Sequence, residues 1–245
     1  MRVDFATDTG AVRRSNQDAC KCGTFSESSA WVVVCDGMGG ANGGNVASTI
    51  AVERIEELLK SKFSEEMGQN NIKNLVINAV HRANDAVYET AKEKPELQGM
   101  GTTAVVMLAT SGHLHVAHVG DSRAYLQNSD GLTQLTMDHS YVQDLVNFGQ
   151  ITKEEARTHP RRNIITRVLG VHNAVAVDYS LWDFHPGDVA LACTDGLTNY
   201  IDDNLLEEYI CDHGDQGKIL TNKLIEYAVK SGGSDNITVA VVNNT

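Results

Sequence analysis

Positive charge, proline and long apolar runs are all scarce in this chain of 245 residues. Lysine and arginine number 20 against 32 aspartates and glutamates, a formal net charge of −12. That balance repels a nucleic-acid backbone, so a sequence-independent DNA or RNA binder is not expected. The same field concentrates cations, although solubility alone also explains it. Three prolines and no long biased tract argue against disorder. No apolar stretch reaches the ~18 residues of a membrane span. The opening MRVDFATDTG carries acids early and has no apolar signal-peptide core. A cytoplasmic location is therefore the expectation. The five cysteines, at 20, 22, 35, 193 and 211, are odd in number and match no zinc spacing. Cys35 and Cys193 lie inside apolar runs, where a free thiol acts as a small hydrophobe. Reduced thiols, with no structural metal held through sulfur, are expected.

Hydrophobic residues make up 42% of the chain, enough for a substantial core. Residues 2–6 and 30–35 read as strands, and 45–62 and 71–92 as helices. In the second helix Ile72, Leu75, Val76, Ala79, Val80, Ala83 and Val87 recur at the 3.6-residue period. Short strands follow at 102–110, 113–119, 122–127 and 131–136, joined by turns too short for parallel crossovers. Residues 139–170 are less regular, with helices at 141–148 and 153–157. Strands at 174–181 and 188–193, helices at 203–211 and 216–230, and a strand at 236–242 complete the chain. Strands in runs, with helices grouped between them, favour an α+β fold. Neither a repeat nor a linker is visible, so 1–245 reads as a single domain.

Four aspartates share one kind of setting. Asp36 follows WVVVC, Asp121 follows HVAHVG, Asp195 follows VALACT, and Asp235 precedes the apolar run NITVAVV. Each stands at or near the end of a strand-like run with glycine within three residues. For any one of them a turn role is an equal explanation, since Asp-Gly suits turns. Four together would be partly desolvated and mutually repelling, which cations resolve. An all-oxygen ligand set selects hard ions such as Mg²⁺ or Mn²⁺.

The loop DGMGGANGG after the first of these raises a competing possibility, a cradle for a nucleotide phosphate. It has neither the Lys-Ser/Thr of a P-loop nor the order GxGxxG of a dinucleotide site. The glycines are better read as letting backbone approach an ion beside Asp36 and leading into the helix near Asn45.

Seven segments occur in one order: DTGAVRRSNQDA, VVVCDGMGGANGG, GMGTTAVV, HVAHVGDSRAYL, DHSYVQDLVNFGQITKEEARTHPRRNIITRVLG, ALACTDGL and GGSDNITVAVV. Together they resemble the metal-dependent serine/threonine phosphatases of the protein phosphatase 2C (PPM) family, most closely its bacterial members. The resemblance runs from about Asp4 to Val242. It implies a four-layer α-β-β-α sandwich of two antiparallel sheets flanked by helices. It also implies hydrolysis of phosphoserine and phosphothreonine in proteins, with two Mn²⁺ or Mg²⁺ ions activating a water and room for a third, weaker ion. Phosphorylated proteins would be the partners, among them a serine/threonine kinase and its targets, and the chain would act as a monomer.

The resemblance also assigns roles. Asp36 matches the aspartate that bridges two ions, and Gly37 the residue that offers its carbonyl. Asp195 and Asp235 match the remaining core ligands. Asp121 matches the acid that holds a third ion together with the Asp195 counterpart. Asp18 matches an acid close to the metals that holds bound water; a turn or cap is its plainer reading. Arg13 matches the arginine that grips phosphate through two nitrogens at once. If residues 11–15 are extended, neighbouring Arg14 points the other way. Residues 139–170 match a flap beside the metals, where Arg161 and Arg162 either meet acidic peptides or are simply solvated. Thr102 and Thr103 match a motif read as structural.

One position departs from the pattern. Many relatives carry a histidine directly after DGMGG, proposed to protonate the leaving oxygen, and here that residue is Ala41. His139 and His159 are candidates to replace it. Two rival readings stay open: a catalytically weak phosphoprotein-binding module with the same fold, and a nucleotide-binding switch, which the missing lysine disfavours.

Overall fold

Strand β3 (Ala30–Met38) explains the architecture. Its side chains alternate between two faces, and both faces are buried. Ala30, Val32 and Val34 enter one apolar cluster, while Trp31, Val33 and Cys35 enter another. A strand buried on both sides needs a sheet on one side and helices on the other.

The computed structural model describes residues 1–40 and 43–245 of the chain. Before β3 come β1 (Arg2–Asp8) and β2 (Asp18–Thr24). After it come helices α1 (Gly40–Lys62) and α2 (Gln69–Glu93). Next are β4 (Gly101–Thr102), β5 (Ala104–Thr110), β6 (Gly112–Val119), β7 (Arg123–Asn128) and β8 (Gly131–Gln134). Helices α3 (Tyr141–Asn147) and α4 (Lys153–Thr158) lie in the irregular segment. The chain ends with β9 (Asp178–Phe184), β10 (Val189–Cys193), α5 (Asp195–Thr198), α6 (Asp203–His213), α7 (Gly217–Lys230) and β11 (Ile237–Asn243).

One sheet has the order β1-β11-β10-β7-β8 and the other β2-β3-β5-β6-β9, with β4 paired to β3. Every strand pair is antiparallel. Between the sheets, Val32, Val34, Val105 and Met107 face Ala124, Ala190, Ala192, Ala240 and Val242. The alanines on one side let the sheets close on the larger residues of the other. Outside one sheet, α1 and α2 bury Ala51, Ile55, Leu59, Val76, Ala79, Val80 and Ala83. Outside the other, α6 and α7 bury Leu206, Ile210, Leu220 and Leu224 against Leu191, Val239 and Val241. The result is the four-layer α-β-β-α sandwich.

Several local expectations shift. Helix α1 begins at Gly40, five residues before Asn45, and a Cβ on Gly43 would meet the Met100 side chain. A Cβ on Gly37 would overlap the backbone carbonyl of Gly44, and one on Gly44 would strike Gly37 in return. Two bare backbones therefore meet where β3 ends and α1 starts. The strand expected at 174–181 lies at Asp178–Phe184, paired with β6. Strand β2 and the single turn α5 were not anticipated. The composition of β2, DACKCGT, gives little apolar signal.

Candidate metal centre

The inner row of each strand runs out of apolar residues at the same end of the sandwich. In β3 the two-residue period continues Ala30, Val32 and Val34 to Asp36. In β2, Cys20 and Cys22 pack on the inter-sheet core, and the same period reaches Asp18. Asp18 stands directly across from Asp36 in the antiparallel register. On the opposing sheet, Ala240 and Val242 lead back to Thr238, and Ala190 and Ala192 lead on to Thr194. These row ends meet: Oδ2 of Asp18 accepts the hydroxyls of Thr194 at 2.9 Å and Thr238 at 2.7 Å.

The other sequence-marked acids arrive at that end from loops and turns. Asp195 opens α5 just beyond β10, and Asp235 sits in the loop before β11. Asp121 lies in the turn between β6 and β7. Asp36, Gly37, Asp121, Asp195 and Asp235 line one cavity of about 700 Å³, together with Arg13 and Arg14. Asp18 lies behind this surface, among the threonines.

The backbone of Asp36 is fixed on both sides. Its N–H donates to Oγ1 of Thr103 at 2.9 Å. Its carbonyl accepts Oγ1 of Thr102 at 2.8 Å and the Thr103 N–H at 2.9 Å. The two threonines thus secure Asp36 directly. Asn199 donates to Asp195 Oδ2 at 3.2 Å. Asn236 organises the neighbouring loops by donating to the carbonyls of Thr9 and Ser15 and accepting the Gln17 N–H. This holds the β1–β2 turn, which carries Arg13, over Asp235.

Crowded acids shift one another. Burial, then the charge of Asp18, pushes the Asp36 carboxyl well above its ordinary range. Burial likewise raises Asp121 and Asp195. Asp18 is pushed up to about 7, by burial first and against its threonine hydrogen bonds. One oxygen on each of Asp18, Asp121 and Asp195 is buried without a hydrogen-bond partner. Buried oxygens of this kind, on mutually repelling carboxylates in and just behind one cavity, are the donor set a hard divalent cation satisfies. The residues present therefore fit such ions.

Arg13 donates from Nη2 to Oδ2 of Asp235 at 2.7 Å, a bond that raises the guanidinium pKa further. The expectation that Arg14 points away does not hold. Residues 10–15 form turns instead of a strand, and both arginines line the cavity. From the flap, Arg162 lines the cavity too, while Arg161 lies over the Tyr141 ring at 5.6 Å. Among the described residues no histidine lines the cavity. His139 is buried against Gly120, and the His159 ring tilts against Tyr141, so neither stands where Ala41 was expected to need a substitute. Ala41 itself lies outside the described residues.

Sequence reasoning missed Thr194, Thr238, Asn199 and Asn236. Thr194 and Thr238 carried a usable signal, since each continues an inner row by two residues.

Comparisons with known proteins find relatives along nearly the whole chain. A family model described as Protein phosphatase 2C matches residues 11–215. The serine/threonine phosphatase stp of Listeria innocua is 36% identical over 245 residues, covering 99% of this chain and 95% of its own. The crystal structure of the serine/threonine phosphatase Stp1 from Staphylococcus aureus superposes with a TM-score of 0.86 at 37% identity, over 98% of this chain and 93% of its own. The catalytic domain of the serine/threonine protein phosphatase PstP, crystallised with two manganese ions, gives 0.83 at 32% identity, over 98% and 96%.

Proposed function

This chain belongs to the protein phosphatase 2C family and is a serine/threonine phosphatase; on that premise we propose that its carboxylate cavity is a two-ion hydrolytic centre. Asp36, the Gly37 carbonyl, Asp195 and Asp235 would hold the two ions, Mn²⁺ or Mg²⁺. Asp121 would hold a third and weaker one with Asp195. The observation that carries the reading is the set of partnerless buried oxygens on Asp18, Asp121 and Asp195. The two manganese ions of the PstP catalytic domain support it. When bound, such ions would supply a water of lowered pKa and neutralise charge on the phosphoryl oxygens.

The chain's own residues do the rest. Arg13, tethered near the ions by Asp235, presents a planar fork to two phosphate oxygens. Asp18, fixed by two hydroxyls through Oδ2, keeps a second oxygen without a protein partner, which would hold a water beside the ions. Thr102 and Thr103 keep Asp36 from following its charge away from the other acids. The substrates are phosphoserine and phosphothreonine proteins, with a serine/threonine kinase and its targets as the physiological partners. The unit is a single domain over residues 1–245, acting as a cytoplasmic monomer in phosphorylation signalling.

The test is phosphate release from a phosphothreonine peptide and from an aryl phosphate, with Mn²⁺ and with EDTA. Turnover of both, abolished by EDTA, is expected. Loss of the peptide reaction alone would place the defect in leaving-group protonation, costing on the order of 10²–10⁴-fold, which a good leaving group escapes. Metal binding without turnover of either ester would overturn the reading in favour of a binding module.

A further inference from the structure

Away from the cavity lining, His118, His139 and Asp178 bring three ligand atoms within 4.8 Å of one another. They look like a second metal site, but a cation already fills the place. Nη1 of Arg167 donates to Asp178 Oδ1 at 2.6 Å, next to His139 Nε2 but not bonded to it. The cluster is a clamp whose cation belongs to the end of the flap.

This clamp reaches the catalytic cavity through one residue. The Gly120 N–H donates to Nδ1 of His139 at 3.0 Å, and the His139 N–H donates to the Gly120 carbonyl at 2.9 Å. Both backbone groups of Gly120 are therefore held by His139. Because Nδ1 accepts, the ring proton sits on Nε2, which donates to Asp178 Oδ2 at 3.1 Å. The His118 ring stacks on the His139 ring at 4.7 Å between centroids, fixing its plane. The far end of the flap closes on the same point, with the Thr166 N–H donating to the His139 carbonyl at 2.8 Å.

Gly120 immediately precedes Asp121. Its φ of +111° is a conformation that glycine tolerates, and a Cβ there would strike Thr103. Among the described residues, no side chain steadies the Asp121 carboxylate. Asp18 has two threonines, Asp195 has Asn199, and Asp235 has Arg13. Asp121 is only 7% exposed and has a partnerless oxygen. Its direction must be set by its backbone, and that backbone is set by His139.

We propose that His139, oriented by Asp178 and stacked His118, is the positioning residue for Asp121, and that Arg167 ties this support to the flap. The inference rests on the reading of Asp121 as the ligand of the weaker ion. The flap and the weaker ion are then coupled: both depend on one imidazole. The Arg167–Asp178 pair contributes little to stability, because Asp178 is 48% exposed. Its value lies in holding the imidazole.

The test is calorimetric titration of the whole chain with Mn²⁺ alone, with ion stoichiometry counted by manganese electron paramagnetic resonance. Asp121→Asn should remove the weakest binding event and sets the reference. His139→Leu should weaken that event, and Asp178→Asn should do so to a smaller degree, within the ~10–100-fold range typical of groups that orient a ligand. His139→Asn places an acceptor oxygen near the Nδ1 position and should recover most of the loss. If His139→Leu unfolds the chain, Asp178→Asn decides alone, since it leaves the histidine in place. If Asp121→Asn loses the weak ion while His139→Leu, or in that case Asp178→Asn, binds it as wild type does, the inference is wrong. If Asp121→Asn itself binds as many ions as wild type, the ligand reading fails first, and this inference fails with it.

Discussion

Asp18 and Asp36 face each other across the β2–β3 ladder, two carboxylates paired residue to residue at the end of a buried row. Like charges directly opposite destabilise a sheet. The pair persists because Thr194 and Thr238 hold one member and Thr102 and Thr103 hold the backbone of the other. Such an arrangement is strained without cations and relaxed with them.

The first prediction concerns pH. Asp18 has its folded pKa raised from the ordinary 3.8 to about 7, with Asp36, Asp195 and Asp235 as its charged neighbours. A raised carboxyl means the folded state binds more protons than the unfolded state between those values. Its contribution is thus present in full below about pH 3.8 and is lost as pH rises through about 7. In EDTA, the melting temperature should lose this contribution between pH 5 and pH 8. Added Mn²⁺ should restore more stability at pH 8 than at pH 5.5. Scanning calorimetry at the two pH values, with and without Mn²⁺, checks both signs; an equal metal effect at both would contradict the account.

Asp36→Asn should separate stability from activity. Removing one charge from the cluster relieves repulsion, so the variant should melt higher than wild type in EDTA. It should also lose roughly 10³-fold or more in Mn²⁺-dependent kcat, since several kcal/mol of charge stabilisation depends on the ions. Melting curves and phosphopeptide turnover on the same preparation test both halves.

The two arginines at the cavity should differ although both line it. Arg13 is locked onto Asp235, whereas Arg14 makes no side-chain hydrogen bond among the described residues. Arg13→Lys loses the two-nitrogen grip and should raise KM for a phosphopeptide by about 10-fold or more, from a charged hydrogen bond worth ~1.5–3 kcal/mol. Arg14→Ala should change KM by at most ~5-fold, the range of an exposed charge. Equal effects from the two would remove the special role of Arg13.

Gly37→Ala tests the close approach of β3 to α1. A methyl there overlaps the Gly44 and Gln17 carbonyls, and backbone cannot move aside as a side chain can. The cost should be at least ~2–3 kcal/mol of stability. Gly40→Ala provides the comparison for crowding, since nothing lies within 4 Å of a Cβ there, although its φ of +72° adds its own strain. Urea unfolding of the two variants separates contact from conformation.

The strands were legible as continuous apolar runs, buried on both faces, as in β3, β5 and β11, and the four-layer sandwich followed from the family resemblance. Helix α2 was legible from its 3.6-residue stripe. Strand β2 was hidden because its inner row is Asp18, Cys20 and Cys22, with Lys21 between the cysteines. The register of β9 was misjudged because Val175 and Val177 pack on the helix-side core without joining the sheet. The cavity aspartates showed themselves through their setting at strand ends. Their supports did not. Thr194 and Thr238 continue the inner rows, but their pairing with Asp18 spans 176 and 220 residues of chain, which no local pattern records. The turn at residues 10–15 was likewise invisible, since its shape comes from Asn236 and the Gly233 carbonyl.

The row that carries Val32 and Val34 into the core is the row that ends at Asp36. The strand therefore works as a ruler with a two-residue division. Deleting one residue between Val32 and Asp36 would swing the carboxylate toward the helix layer and bring Gly37 to the mouth of the cavity in its place. The count of residues within this strand is therefore part of the site.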